Sequence, residues 1–186
     1  MRNVKEIQSV KNPRIKELKK LHKKKYREEK AEYLLEGFHL IEEAASSDAE
    51  IKELFVTQRG MKEWGDWLAV NKEISTFLVS DEVMTAMSDL PTPQGILAVM
   101  TLTSEDTPDF SGGWLLLDNV QDPGNVGTMI RTADAFGMAG VLLGKGTADI
   151  YSTKVLRSMQ GSNYHLPVLQ KDLAEVIPVM KGKGFT

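Results

Sequence analysis

Cysteine is absent from this 186-residue chain, and histidine occurs only three times. Without cysteine the chain can form neither a disulfide nor a thiolate-bound metal site. His22, His39 and His165 are widely separated and show none of the spacings that are typical of metal ligands. We therefore expect no metal, and we expect a cytoplasmic protein because a cysteine-free chain suits a reducing compartment.

Long hydrophobic runs are also missing. Hydrophobic residues make up 41% of the chain, which is enough for a normal core. No stretch approaches the roughly 20 apolar residues that a bilayer-spanning helix needs. Residues 1–10 mix charged with apolar side chains and contain no signal-peptide core. We therefore expect no membrane association.

Positive charge is concentrated at one end of the chain. The first 30 residues contain 12 Lys/Arg against four Glu, a net charge of +8, and the other residues carry −11 of the total of −3. A basic end on an otherwise acidic protein indicates a polyanionic partner.

The basic segment has a helical pattern. Ile15, Leu18 and Leu21 recur at the spacing that places them on one helix face. Six cations around them are candidate contacts to an RNA backbone: Arg14, Lys16, Lys19, Lys20, Lys23 and Lys24. Such a surface can be no more than a solvated helix face, but the density of lysine and the acidic remainder favour phosphate contact. Lysine contacts supply affinity and salt dependence rather than sequence choice.

Strand and helix patterns alternate from residue 32 to residue 100, which predicts an α/β domain. The expected strands are 33–35, 51–57, 74–79 and 95–100, and the expected helices are 38–45, 61–70 and 81–87. Residues 103–112 are polar and rich in Pro, Gly and Ser, which is typical of a linker. We therefore divide the chain into a domain 1–102, a linker 103–112 and a domain 113–186.

The second domain opens with the pattern of a βαβ unit. Trp114–Leu117 and Val141–Leu143 are short apolar runs that are typical of buried strands. Between them, a turn-rich loop leads to Asn125 at the expected N-cap position of a helix. Apolar residues then follow at helical spacing: Val126, Met129, Ile130, Ala133 and Phe136. A crossover of this length predicts that the two strands are parallel.

Ligands of such a sheet bind outside the carboxyl ends of its strands, where the polar loop 118–125 is expected. Arg131 lies off the apolar stripe of the helix and can face the same crevice. The loop lacks the Gly-x-Gly-x-x-Gly pattern of dinucleotide sites. A nucleotide-binding Rossmann domain is therefore the weakest interpretation that we consider.

These residues carry a family resemblance. The pattern Asn119-x-x-Asp122-Pro123-x-Asn125-x-Gly127-x-x-x-Arg131-Thr132-Ala133-x-Ala135-Phe136-Gly137 resembles the first signature motif of the SpoU (TrmH-type) RNA ribose 2′-O-methyltransferases, of the SPOUT superfamily. Glu36-Gly37 and Pro93-Gln94-Gly95-Ile96 resemble the substrate-binding domain of that family. The resemblance implies an α/β protein: an N-terminal, ribosomal-protein-like substrate-binding domain followed by a parallel-sheet catalytic domain of the trefoil-knot type.

The resemblance also implies a reaction, which is S-adenosylmethionine-dependent methylation of a ribose 2′-hydroxyl in structured RNA, ribosomal or transfer, by a homodimer. Asn125 and Arg131 become the catalytic candidates. Because arginine is effectively never deprotonated, we expect Arg131 to stabilise the developing alkoxide and hold the neighbouring phosphate rather than act as a base. The alternatives are a helix cap for Asn125, and for Arg131 a salt bridge with Asp134 or Glu175.

Further along, Gly144 is the cofactor-binding candidate, and Lys154, Arg157 and Ser158 are candidate RNA contacts that could equally cap and solvate a helix. Met129, Met138 and Met159 are expected in the core rather than at the cofactor.

Two later family motifs, a Gly-Asn/Pro-Glu-x-x-Gly loop and a Ser-Leu-Asn-Val run, do not occur in this sequence. In the family they supply most of the cofactor pocket and complete the knot. We therefore expect the catalytic domain to be truncated at its C-terminus, with most of the pocket beyond residue 186. The alternative function is that of a non-catalytic RNA-binding protein or an inactive fragment.

Overall fold

The computed structural model describes residues 4–102 and 110–185. Its contacts divide the chain into two compact units, residues 1–102 and residues 103–186. Most of the predicted linker, residues 103–109, lies outside the described residues. In the described part of the chain, no helix is long and apolar enough to cross a membrane.

The first unit contains a five-stranded mixed sheet in the order β1-β4-β3-β5-β2. β1, β4 and β3 run parallel to one another, and β5 is antiparallel to both β3 and β2. Four of these strands match the sequence prediction to within two residues, whereas β1 was not predicted. The strands are β1 Lys5–Ile7, β2 Glu32–Glu36, β3 Ile51–Val56, β4 Ser75–Val79 and β5 Ile96–Thr101.

Six helices accompany this sheet within the described residues: α1 Pro13–Lys20, α2 Lys24–Lys30, α3 Phe38–Ala45, α4 Gln58–Glu63, α5 Gly65–Val70 and α6 Asp81–Met87. The basic segment forms two short helices rather than one. The first begins at Asn12, whose side chain accepts a hydrogen bond from the backbone nitrogen of Arg14, with Pro13 as its first residue. The helix expected at 61–70 is likewise divided, into α4 and α5.

The predicted apolar face of the basic segment is confirmed. Ile15, Leu18 and Leu21 are buried in one core cluster with Phe55 of β3 and Met84 of α6. The sheet and α6 therefore hold α1 in place, and its lysines are carried on the opposite, exposed side.

The second unit contains three parallel strands in the order β6-β7-β8. They are β6 Trp114–Leu117, β7 Gly140–Leu143 and β8 Val168–Gln170. The predicted parallel pairing of the first two strands is confirmed, with Trp114 opposite Gly140. The helices are α7 Pro123–Ala135, α8 Thr153–Met159 and α9 Leu173–Gly182, and a 3-10 turn spans Ser162–Tyr164.

One face of this sheet packs under α9. Leu142 and Leu169 form a core cluster with Phe110 and with Met180 of α9. The ring of Phe110 meets the edge of Trp114 at a centroid distance of 5.2 Å. α7 packs against β7 and against α8.

Two predictions about α7 are wrong. Asp122, rather than Asn125, is the N-cap, and Asn125 lies inside the first turn. Pro123 is already pre-organised for the first helical position, so the helix begins two residues before Asn125. Met129 and Phe136 are not core residues, since these residues are 38% and 83% exposed. α8 packs against the side of α7 that carries Gly127, which leaves the side of Met129 and Phe136 uncovered within this unit. Met159 is fully buried, as expected, and Met138 is half-buried.

Candidate functional site

The loops that follow β6 and β7 form a single structure at the carboxyl edge of the second sheet. Thr147 joins them, because its hydroxyl donates to the carbonyl oxygen of Leu117 at 2.9 Å and accepts from the backbone nitrogen of Val120 at 3.3 Å. The backbone nitrogen of Ala148 also donates to the Val120 carbonyl at 2.9 Å. Thr147 is not among the predicted site residues, because a threonine in a loop carries no signal of its partner 30 residues away.

Gly144 lies at the end of β7 and is buried. A Cβ atom on Gly144 would stand 2.7 Å from Cδ1 of Leu173, the first residue of α9, and 3.2 Å from Oδ1 of Asp118. Close packing therefore explains why glycine occupies this position. A role of Gly144 in cofactor binding stays a prediction.

Asn125 is exposed in the first turn of α7. Its backbone nitrogen donates to the Asp122 carboxylate at 2.8 Å, which is the capping bond of the helix. Within residues 4–102 and 110–185, the carboxamide of Asn125 makes no hydrogen bond. Since Asp122 already caps the helix, this carboxamide can bind a ligand.

Arg131 follows Asn125 by six residues, which places it about 9 Å further along the helix axis. Its side chain is exposed, and it forms no ion pair with Asp134, Glu175 or any other described residue. The Asp134 carboxylate instead contacts Nδ1 of His165 at 2.9 Å. The Arg131 guanidinium therefore forms neither of the two salt bridges that were the alternative to a catalytic role.

Two threonines of α7 bind to their own helix. The hydroxyl of Thr128 donates to the carbonyl oxygen of Gly124, and that of Thr132 donates to the carbonyl oxygen of Thr128, both at 2.8 Å. Such back-bonding satisfies these hydroxyls internally. Among the described polar side chains of α7, those of Asn125 and Arg131 are exposed and have no polar partner.

The three candidate RNA contacts on α8 differ in their surroundings. The hydroxyl of Ser158 donates to the carbonyl oxygen of Gly124 at 2.9 Å, so it joins α8 to the first turn of α7. Lys154 and Arg157 are exposed, and neither forms an ion pair with another described residue. These two cations can contact phosphate, whereas Ser158 has a structural partner.

The basic surface of the first unit is also divided. Arg14 donates to Glu53 through Nε at 2.9 Å and through Nη2 at 2.7 Å, and it lies 3.6 Å from Glu32. Lys52 also binds Glu32, at 2.6 Å. Arg14 is thus part of a network that joins α1 to β2 and β3.

Two lysines of this surface form exposed pairs along their own helices. Lys20 binds Glu17 at 2.7 Å, and Lys24 lies 3.7 Å from Glu28. The hydrogen bond between Lys20 and Glu17 lowers the pKa of Glu17 and raises the pKa of Lys20. Exposed pairs of this kind contribute little to stability.

Lys16, Lys19 and Lys23 are exposed and have no ionic partner among the residues that the structure describes. Among the six predicted contacts of the basic segment, these three lysines are therefore the most accessible to a polyanion. No group of three or more His, Asp or Glu side chains suited to a metal ion occurs in the described residues.

Comparison with known proteins agrees with this arrangement. Residues 12–98 match the model of the MRM3-like substrate binding domain, and residues 114–186 match that of the SpoU rRNA Methylase family. The chain is 40% identical to the 23S rRNA (guanosine(2553)-2′-O)-methyltransferase RlmP of Bacillus subtilis, over 97% of this chain and 71% of that protein. The chain belongs to the SpoU rRNA methylase family. The family predicted from the motif on α7 is thereby confirmed.

Other SpoU proteins resemble the chain over nearly the same region. Mitochondrial rRNA methyltransferase 3 of Mus musculus is 35% identical over 82% of this chain, which corresponds to 38% of that longer protein. The AdoMet-bound rRNA methyltransferase from Sinorhizobium meliloti superposes with a TM-score of 0.81 at 28% identity, over 96% of this chain and 69% of that one. An RNA 2′-O ribose methyltransferase superposes with a TM-score of 0.79 at 30% identity, over 95% and 69% of the two chains. The predicted fold class, α/β with a parallel catalytic sheet, is confirmed.

Proposed function

We propose that this SpoU-family protein methylates the 2′-hydroxyl of a ribose in ribosomal RNA, with S-adenosylmethionine as the methyl donor. The observation that carries the proposal is that the side chains of Asn125 and Arg131 are available to a ligand. Both side chains are exposed on α7, and both lack a polar partner among the described residues. The motif that contains them begins at the carboxyl edge of a parallel sheet, where such folds bind ligands.

S-adenosylmethionine supplies an electrophilic methyl group when bound. The residues of this chain that fit it are those of the loops at the ends of β6 and β7, where Asp118, Asn119 and Gln121 are exposed. A carboxylate and two amides offer acceptors to a cationic ligand and donors to its polar groups. These loops would therefore hold part of the cofactor.

Arg131 acts on the RNA. As the ribose 2′-hydroxyl loses its proton to solvent, negative charge develops on its oxygen. This oxygen then takes the methyl group while the carbon–sulfur bond of the donor breaks and a neutral thioether leaves. A permanently protonated guanidinium stabilises this charge and holds the adjacent phosphate, and it cannot itself accept the proton. Asn125 holds the ribose by hydrogen bonds, so that the hydroxyl meets the methyl group in line.

The remaining part of the proposal concerns RNA affinity. Lys16, Lys19 and Lys23 on the first unit and Lys154 and Arg157 on the second are exposed cations that can bind RNA phosphates. Ribosomal RNA is favoured because RlmP is named for 23S rRNA. Transfer RNA is the alternative substrate, and the site of action that we propose is the cytoplasm.

We also propose that the protein is a homodimer through its second unit. Met129 is exposed on α7 and Phe136 is exposed directly after it, and such apolar side chains favour burial against a second copy. Replacing Phe136 with Glu is expected to convert a dimer to a monomer in sedimentation equilibrium, and Val70→Glu, at an exposed apolar residue of the first unit, is the control. A parent protein that sediments as a monomer would refute the dimer.

The proposed activity is tested by transfer of a labelled methyl group from S-adenosylmethionine to 23S rRNA, with RlmP as the positive control. Arg131→Ala is expected to reduce the rate about 100-fold or more, as for other donors that stabilise an oxyanion. Its melting temperature should equal that of the parent, because Arg131 has no partner in the described structure. Lys181→Ala, another exposed cation of the second unit, is the matched control.

Two results would overturn parts of the proposal. Full activity of Arg131→Ala would remove Arg131 from the mechanism. Salt-dependent RNA binding without calorimetric binding of S-adenosylmethionine would instead favour a non-catalytic RNA-binding protein.

A further inference from the structure

The first unit brings together two short motifs that methyl transfer does not use. Gly37 follows β2, and a Cβ atom on it would stand 2.7 Å from Oε1 of Gln94. The backbone nitrogen of Gly37 donates to the carbonyl oxygen of Ile96 at 3.4 Å. Glu36-Gly37 and Pro93–Ile96 are therefore one structure at an edge of the five-stranded sheet.

Gly95 packs closely against the start of α4. Its carbonyl oxygen accepts from the backbone nitrogen of Thr57 at 3.0 Å. A Cβ atom on Gly60 would stand only 2.5 Å from the same oxygen. Gly95 also has a φ of +84°, which side chains rarely adopt. These constraints hold the backbone of 93–95 in a defined position above α4 and α6.

A cleft of about 230 Å³ lies beside this backbone. Met84, which is 1% exposed, forms its base, and half-buried Pro93 forms a wall. Asp81, Thr85 and Arg59 line its open side. The volume is below the roughly 300–1,000 Å³ of typical small-molecule sites, so it suits a single flat ring rather than a whole cofactor.

The polar groups of the cleft select the kind of ring. The carboxylate of Asp81 makes no hydrogen bond elsewhere in the described structure, and an ionised carboxylate only accepts hydrogen bonds. Arg59 carries a positive charge at the opening, and its side chain is 64% exposed. Among the described residues its one ionic partner is Glu63 of the same helix, at 3.0 Å. An apolar wall, an acceptor and a nearby cation match a base with an exocyclic amino group and its phosphate.

We propose that this cleft binds one unpaired nucleotide of the RNA substrate, with the amino group of its base on Asp81 and its phosphate on Arg59. The inference rests on the proposed function, because it requires that the chain binds RNA. It gives the first unit a contact that distinguishes bases, in addition to the lysine contacts, which do not.

The test compares binding of the hexaribonucleotides r(C)6, r(A)6 and r(U)6 by fluorescence anisotropy, since cytosine and adenine carry an exocyclic amino group and uracil does not. The parent is expected to prefer r(C)6 and r(A)6 over r(U)6 by about tenfold. Asp81→Ala should remove this preference. Glu82→Ala removes the same charge from the next residue of α6, which does not line the cleft, and should keep the preference.

A second variant tests the cleft independently, because Asp81→Ala could also change the structure at the start of α6. Thr85→Trp fills the cleft from an exposed position and should also remove the preference, with an unchanged melting temperature. The nucleotide site would be refuted if the parent bound the three oligomers with equal affinity, or if Asp81→Ala and Glu82→Ala changed the base preference equally. Either result would leave the methyltransferase proposal intact. An absence of any RNA binding would overturn both. Tighter binding of free CMP than of r(C)6 would assign the cleft to a free nucleotide instead.

Discussion

The backbone of Gly127 lies directly against the side chain of Ser158. A Cβ atom on Gly127 would stand 2.7 Å from Oγ of Ser158 and 2.8 Å from the backbone nitrogen of Met159. The Ser158 hydroxyl in turn donates to the carbonyl oxygen of Gly124 at 2.9 Å. This contact fixes the first turn of α7, which carries Asn125, relative to α8, which carries Arg157.

Gly127→Ala is expected to destabilise the second unit by about 1–3 kcal/mol, because the added methyl group meets backbone as well as side-chain atoms. Thermal unfolding followed by circular dichroism measures the effect. Gly182→Ala is the control, since nothing lies within 4 Å of its added Cβ and alanine favours a helix. Equal melting temperatures for the two variants would show that the contact between α7 and α8 is less close than the structure has it.

Asp122→Ala and Asn125→Ala are expected to differ, because the first lowers stability and the second lowers activity at unchanged stability. Asp122 is the N-cap of α7, so its removal is expected to lower the free energy of unfolding by about 1 kcal/mol. Asn125→Ala removes no hydrogen bond of the described structure and should leave that free energy unchanged, while it lowers the rate of methyl transfer. A destabilised but fully active Asn125→Ala variant would return this residue to a purely structural role.

Arg14→Met and Lys19→Met separate structural from RNA-binding cations. Arg14→Met breaks the contact with Glu53 and is expected to lower the free energy of unfolding by about 1 kcal/mol. Lys19→Met should leave the unfolding transition unchanged and reduce the slope of log affinity for RNA against log salt by about 0.7–0.9. If instead Arg14→Met gave the larger change in slope at unchanged stability, Arg14 would be a phosphate contact, as the sequence prediction has it.

The sequence was sufficient for the βαβ unit. The apolar runs at Trp114–Leu117 and Val141–Leu143 predicted two parallel strands, and the structure confirms them. The sequence was not sufficient to predict the residue at which α7 begins. Asp122 and Asn125 are both good capping residues, and the geometry of the Asp122–Pro123 step decides between them. Phe136 was assigned to the core because its spacing is helical, yet it follows the last residue of the helix and is exposed.

The sequence by itself determined the family, the fold class and the positions of most helices and strands, because amphipathic spacing and the signature motif are local properties of the chain. Only the tertiary structure decided which polar side chains can meet a substrate. Arg14 binds Glu53 across 39 residues, and Ser158 binds Gly124 across 34. Partners so far apart leave no periodic pattern in the sequence, since they meet only after the strands and helices have packed.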